Sequence, residues 1–316
     1  MADALRVDVH MHLYPSAASG DWWKAGYEIW EYGEKEGVRF SRSSGTVGDA
    51  LAALEGAGFS HGIAVNLLSV DLFREEAVAM LPDDLQGEDR AAAVAEIEAT
   101  MAERFRAANR WLVDALAPLP RLTPYVGVDP SALSPDENVE HLRDMANRGA
   151  RGIKLHPVAQ RFEPDDPRMR PVYDTCEELG LVVLSHTGSA KGGEPFAEPG
   201  AFAGVLEEHP RLTVVLAHLG GGSWRQTPAL ARAFPKVAFD LCEIVEWTGA
   251  PKAPTGEELA HLIREIGTGR VMLGTDFPWY DLDRTVELVM GLPVLSTGEK
   301  EQILGANAAG LLDLPV

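Results

Sequence analysis

Val7-Asp8-Val9-His10-Met11-His12 is a short apolar run carrying two histidines two positions apart, near the start of a 316-residue chain. Side chains alternate between the faces of a strand, so the two-residue period puts His10 and His12 on one face, at the end of the run. Seven more apolar runs ending in polar residues follow it. With the first, at 6–12, they occupy 61–68, 123–130, 150–157, 181–188, 213–221, 236–243 and 271–279. Each is rich in Val, Ile, Leu or Phe, as strands buried on both faces of a parallel sheet should be. Eight is the number a closed barrel needs.

Segments with helical periodicity separate the runs. Ser134 and Glu137 form a capping-box pattern ahead of Val139, Leu142 and Met145, and Gly149 stops that helix. Thr255 with Glu258, and Ser296 with Glu299, repeat the pattern. This alternation implies right-handed βαβ units and an α/β fold: a (β/α)8 TIM barrel. Two connections exceed ordinary lengths. Residues 13–44 form an extended, aromatic-rich loop after the first strand, and a long helical insertion, with a helix over about 88–117, follows the second. Long loops after barrel strands lie at the catalytic face and serve as lids or substrate walls. No internal repeat or low-complexity linker divides the chain, so 1–316 is expected to be one domain.

With 28 Lys and Arg against 48 Asp and Glu, the formal net charge is −20. That balance argues against binding nucleic acid or an anionic membrane surface. Cys176 and Cys242 make no disulfide framework and no CxxC pair, which suits a reducing compartment. The polar start leaves no room for an apolar signal segment, and no apolar stretch reaches a membrane span, so a soluble, cytoplasmic protein is expected.

The chemistry lies at the ends of the runs. The fifth ends Ser185-His186-Thr187-Gly188, the sixth Ala217-His218-Leu219-Gly220 and the eighth Thr275-Asp276-Phe277-Pro278. A lone histidine at a strand end is usually a hydrogen-bonded core residue. Several imidazoles and a carboxylate converging on one barrel mouth would be expensive to desolvate without a cation. Neutral imidazoles and carboxylate are the donors Zn²⁺ prefers, and a catalytic site leaves one position open for water.

The ordered set Asp8-Val9-His10-Met11-His12, Gly152-Ile153-Lys154-Leu155-His156-Pro157, Ser185-His186-Thr187-Gly188, Ala217-His218-Leu219-Gly220-Gly221 and Gly274-Thr275-Asp276-Phe277-Pro278 resembles the amidohydrolase superfamily. The likeness is to its amidohydrolase-related ("amidohydrolase 2") branch, covers essentially the whole chain, and extends to the closing helix around Ile303–Leu312. That branch includes aminocarboxymuconate-semialdehyde decarboxylase, benzoate-type decarboxylases and pyrone-dicarboxylate lactonase. The resemblance implies His10, His12, His186 and Asp276 as metal ligands, with Asp276 also handling the proton of metal-bound water. It implies His218 as a substrate-facing base or second-site ligand. Lys154 and His156 share a face by the two-residue period. In binuclear relatives such as phosphotriesterase a lysine on this strand is carboxylated and bridges two metals; the alternative is that Lys154 stays a free cation and His156 contacts substrate. One Zn²⁺ is the expectation and two the alternative. Barrels of the branch are often dimers or tetramers, so a homo-oligomer is expected from the resemblance alone.

Asp240, on the seventh run, is a candidate for orienting a ligand histidine, the alternative being a structural hydrogen bond. Cys242 reads as packing, and His61, His141, His209 and His261 as structural or surface residues. Trp22, Trp23, Trp224 and Trp279 are candidates to wall a pocket for a small cyclic or aromatic substrate. Two reactions fit. The expected one is hydrolysis, in which metal-activated water attacks an amide, lactone or ester carbonyl. The branch's decarboxylases often carry Glu in place of the first histidine, whereas here it is His10. The alternative is non-oxidative decarboxylation of the aminocarboxymuconate-semialdehyde type. A barrel that binds a ligand without turning it over is a third reading, and it would show a disrupted ligand set.

Overall fold

The computed structural model describes residues 5–26, 31–191, 193 and 196–314. Its strands are β1 (Val7–His12), β2 (His61–Val65), β3 (Leu122–Gly127), β4 (Gly152–Leu155), β5 (Val182–Ser185), β6 (Thr213–Leu216), β7 (Ala238–Asp240) and β8 (Val271–Met272). All seven neighbouring pairs are parallel and run in chain order. The ring closes where the Val9 N–H donates to the Leu273 carbonyl at 3.0 Å and Met11 bridges Phe277. The protein is a (β/α)8 TIM barrel.

A change of register in β1 decides what faces the barrel axis. Val7 and Val9 pack with Ile63, Val65, Tyr125, Val182, Leu184, Val215, Ala238 and Met272, one or two side chains from each of seven strands. A cluster of that composition fills the barrel interior. Strict alternation would then turn His10 and His12 outward. Instead β1 shifts register against β2 between Asp8 and Met11, three steps on one strand answering two on the other. Such a bulge re-aims the side chains beyond it. Val7 and Val9 face inward below the bulge, His10 and His12 above it, and Met11 packs in the outer core.

The strands are shorter than the apolar runs, mostly at their C-terminal ends. His218, Leu219, Glu243 and Asp276 take positive φ of 62°, 48°, 62° and 58°, which ends the pleat. Non-glycine residues in this region are uncommon and cluster at functional sites. The fourth strand stops at Leu155, so His156 is not a strand residue sharing a face with Lys154. It is the N-cap of a one-turn helix, Pro157–Gln160, its Nδ1 accepting from the Ala159 N–H at 3.2 Å.

The loop after β1 holds α1 (Ala17–Ala25), and α2 (Val47–Gly56) leads into β2. The insertion after β2 is α3 (Val70–Ala79), ahead of the expected helix, and α4 (Gly87–Leu116), thirty residues long. All three expected capping boxes form, at Ser134, Thr255 and Ser296. Among the described residues, no helix is long and apolar enough to cross a membrane.

Candidate metal centre and pocket

His10 and His12 project from the end of β1, and their Nε2 atoms converge on Asp276 Oδ1 at 3.5 and 3.2 Å. Asp276 reaches that point because its left-handed backbone turns the chain over the barrel mouth just past β8. His186 follows β5, and its ring lies 4.8 Å from that of His218 and 3.9 Å from that of His156, stacked nearly parallel. Lys154, from β4, crosses the mouth to place Nζ 2.7 Å from His10 Nε2. The structure therefore brings His10, His12, Lys154, His156, His186, His218 and Asp276 to one cavity.

Below them Asp240 acts as a hub. Its Oδ2 lies 3.0 Å from His10 Nδ1, and its Oδ1 accepts from the backbone N–H groups of His218 at 2.9 Å and Cys242 at 3.1 Å. The carboxylate holds the His10 proton on Nδ1 and leaves the Nε2 lone pair facing the cavity. The His218 ring is turned likewise, with Nδ1 3.1 Å from the Cys242 carbonyl, so Nε2 is the atom left for the pocket. Cys242 is more than filler: its Sγ sits 3.0 Å from His10 Nδ1 and 3.1 Å from His218 Nδ1. Asp8 clamps the mouth from outside the ligand set, accepting from the N–H groups of His10 and Thr275 and from the Thr275 hydroxyl.

Burial favours neutral imidazoles. It pulls His10 down to about 4, with the Lys154 charge adding to the effect, and pushes His156 and His186 well below the ordinary histidine value. Burial opposes ionisation of Asp240, but the hydrogen bond and charge of His10, with His218 and Cys242, together prevail and hold the carboxyl at about 2. Asp276 is likewise held below the usual carboxylate range: burial works against it, and His12, His10 and His218 prevail. Asp8 goes the other way, pushed up to about 7 by burial despite its hydrogen bonds to Thr275 and His10.

The cavity measures about 350 Å³. Trp22, Trp23 and Trp279 wall it, with Tyr14, Leu67, Leu72, Val158 and Ala159. Trp279 meets the His12 ring edge-on at 5.1 Å. Trp224 does not line it; its Nε1 donates to the Lys252 carbonyl at 3.2 Å and Arg225 covers its face. His61, His141 and His209 are buried away from the cavity, and His261 lies on an exposed helical face. Two wall residues had no sequence signal, Glu243 just past β7 and Glu31 on the long loop.

Residues 7–314 match the family described as Amidohydrolase. A 2-amino-3-carboxymuconate-6-semialdehyde decarboxylase of Dictyostelium discoideum is 28% identical over 211 residues, 57% of this chain and 58% of that protein. A gamma-resorcylate decarboxylase of Rhodococcus jostii (strain RHA1) is 26% identical over 184 residues, 48% of this chain and 55% of that protein. The chain thus spans little more than half the length of the curated relatives it matches. Among solved structures, a dihydroxybenzoic acid decarboxylase of Polaromonas sp. JS666, with bound manganese and the inhibitor 2-nitroresorcinol, superposes at a TM-score of 0.66 with 15% identity. That superposition covers 99% of this chain and 98% of that one, a likeness of fold. The expectation of hydrolysis is corrected by these matches: both curated relatives are decarboxylases. His10 in place of Glu was its ground, and that residue governs the donor set, not the substrate bond that breaks.

Proposed function

As the chain belongs to the amidohydrolase family, we propose that it is a divalent-metal-dependent carboxy-lyase that removes CO2 without oxidation from a small carboxylic acid. Its similarity to two decarboxylases carries the reaction type. The observation that carries the site is the convergence of His10 Nε2 and His12 Nε2 on Asp276 Oδ1.

The residues present fit a divalent cation. Two buried neutral imidazoles present lone pairs beside a carboxylate, and one of them is oriented by a second carboxylate, Asp240. His10, His12, His186 and Asp276 would hold the ion. Zn²⁺ suits these nitrogen and oxygen donors, and the manganese of the Polaromonas structure makes Mn²⁺ the first substitute to try. Bound there, a cation supplies Lewis-acid polarisation and neutralises the charge of the substrate.

The chain's own groups do the rest. Lys154 places an ammonium at the floor of the cavity, where it meets the carboxylate of the acid. Trp279, edge-on to His12, and Trp23 wall the space for an apolar body, with the half-exposed Trp22 at its rim. His218 Nε2 faces the same space and positions the substrate. In the reaction the bond between the substrate's carbon and its carboxyl group breaks. Its electron pair stays with that carbon, CO2 departs, and one proton takes the vacated position. Asp276, ionised at rest, relays that proton from water to the carbon. No oxidant or reductant takes part.

The test is metal-dependent CO2 release from a panel of hydroxylated aromatic and enolic carboxylic acids. Release that a chelator abolishes and zinc or manganese restores supports the reading. Turnover of lactones or amides with none of the acids decarboxylated would reject it.

A further inference from the structure

The long loop after β1 comes back to the barrel mouth at Glu31. This side chain is 6% exposed and lines the same cavity as the histidine cluster. Its two oxygens differ. Oε1 accepts from the Ser189 N–H at 3.0 Å and the Gly222 N–H at 2.6 Å, on the turns after β5 and β6. The fit depends on glycine, since a Cβ on Gly188 or Gly221 would stand 1.9 or 2.0 Å from Oε1. Oε2 takes no hydrogen bond from any described residue. A carboxylate oxygen with no protein donor at a cavity wall is left to accept from whatever enters the cavity. Burial pushes this carboxyl up to about 7 against the amide hydrogen bonds of Gly222 and Ser189, the state expected of a half-satisfied acid.

The rest of the wall narrows what can supply that donor. Among the described residues lining the cavity the one lysine is Lys154, beside His10, and there is no arginine. The other charged groups there are acidic: Glu31, Glu243 and Asp276. Among these side chains a substrate carboxylate meets one cation, Lys154, deep in the cluster beside the metal donors; Lys252, whose charge reaches Glu31, does not line the cavity. A second carboxylate on the same molecule would face acid.

We infer that Glu31 Oε2 is a specificity-determining acceptor. It takes a hydrogen bond from a hydroxyl or amino group on the substrate, remote from the carboxyl that is lost, and rejects substrates with a second carboxylate there. The preferred substrate class is a hydroxy- or amino-substituted monocarboxylic acid with an apolar body. This rests on the carboxy-lyase reading only for the carboxyl held beside Lys154.

Glu31→Gln separates the specificity role from a structural one. The Ser189 and Gly222 N–H groups orient the amide oxygen into the place of Oε1, and the amide NH2 takes the place of Oε2, donating where the carboxylate accepted. Binding is read without turnover, by quenching of tryptophan fluorescence at pH 8 in the metal-loaded chain. The probes are 3- and 4-hydroxybenzoate and 3- and 4-aminobenzoate against isophthalate and terephthalate. Wild type should favour the hydroxy and amino acids, and Glu31→Gln should shift that ratio by about 10- to 100-fold toward the dicarboxylates, the size of one hydrogen bond to a charged group. An unchanged ratio in the variant, or no binding of any hydroxy- or aminobenzoate to wild type, overturns the inference. Absence of CO2 release from acids that do bind would count against the carboxy-lyase reading and leave the Glu31 ratio standing.

Discussion

Lys154 Nζ lies 2.7 Å from His10 Nε2, the ring nitrogen opposite the one that meets Asp240. Strands β4 and β1 are not neighbours in the ring, so this contact reaches over the mouth. Lys154 is 1% exposed, and burial lowers its pKa while the surrounding acidic groups hold it up. An ammonium there and a cation on His10 compete for one lone pair. With a single bound ion, Lys154→Met should leave the metal content at about one equivalent per chain, the count of an open catalytic site. Its KM for the carboxylic acid should rise by about 10- to 100-fold, the loss of one charged hydrogen bond. Two equivalents in wild type, falling to one in the variant, would replace this with a carboxylated lysine bridging two ions.

Asp240 sets the tautomer of His10. In Asp240→Asn the amide can still accept from the His218 and Cys242 N–H groups. Its NH2 then faces His10 Nδ1 and drives the proton to Nε2. Metal affinity, measured by competition with a chromogenic chelator, should fall by about 10- to 100-fold, as for other changes behind a ligand histidine. Unchanged affinity would make Asp240 a structural acceptor only.

Thr275 completes the clamp on Asp8. Thr275→Val removes the hydroxyl that donates to Asp8 Oδ2 and leaves a fully buried carboxyl oxygen without that donor. Urea unfolding should show a loss of about 1–3 kcal/mol. A loss below about 0.5 kcal/mol, the range of ordinary surface changes, would mean that the clamp is not holding the ring closed.

Glu31 also gives stability a pH dependence. Its folded-state pKa of about 7 lies above the ordinary value of 4.5, so the folded chain binds the proton more tightly between those values. For an acid raised in this way, stability is greatest below the lower value and falls as pH rises through the window. Glu31→Gln lacks that proton. Its stability relative to wild type should therefore improve between pH 4.5 and pH 8 in paired urea titrations. A constant difference across the window would show that Glu31 titrates normally.

Much of the centre was legible because its residues stand at the ends of apolar runs, where chain order alone aligns His10, His186, His218 and Asp276. The bulge in β1 was not, since nothing in Val7–His12 marks where the register slips. His156 was misread as a strand residue although Pro157 behind it, which favours the first position of a helix, signals the end of the strand. Trp224 was drawn to the pocket by its nearness to His218. The positive φ of His218 through Gly221 carries the chain away, and its indole pairs with Lys252 instead. Glu31 could not be found at all, because its partners Ser189 and Gly222 lie 158 and 191 residues along the chain.

The most direct measurement follows the atoms. The metal-loaded chain is incubated with hydroxylated aromatic carboxylic acids in D2O and, separately, in H2¹⁸O, and products are weighed by mass spectrometry. A carboxy-lyase releases one CO2 per turnover and places one deuteron on the carbon that carried it, with no ¹⁸O in the organic product, and Asp276→Asn abolishes both. Acids turned over with no CO2 released, or CO2 released with no deuteron placed on that carbon, would contradict the proposed reaction.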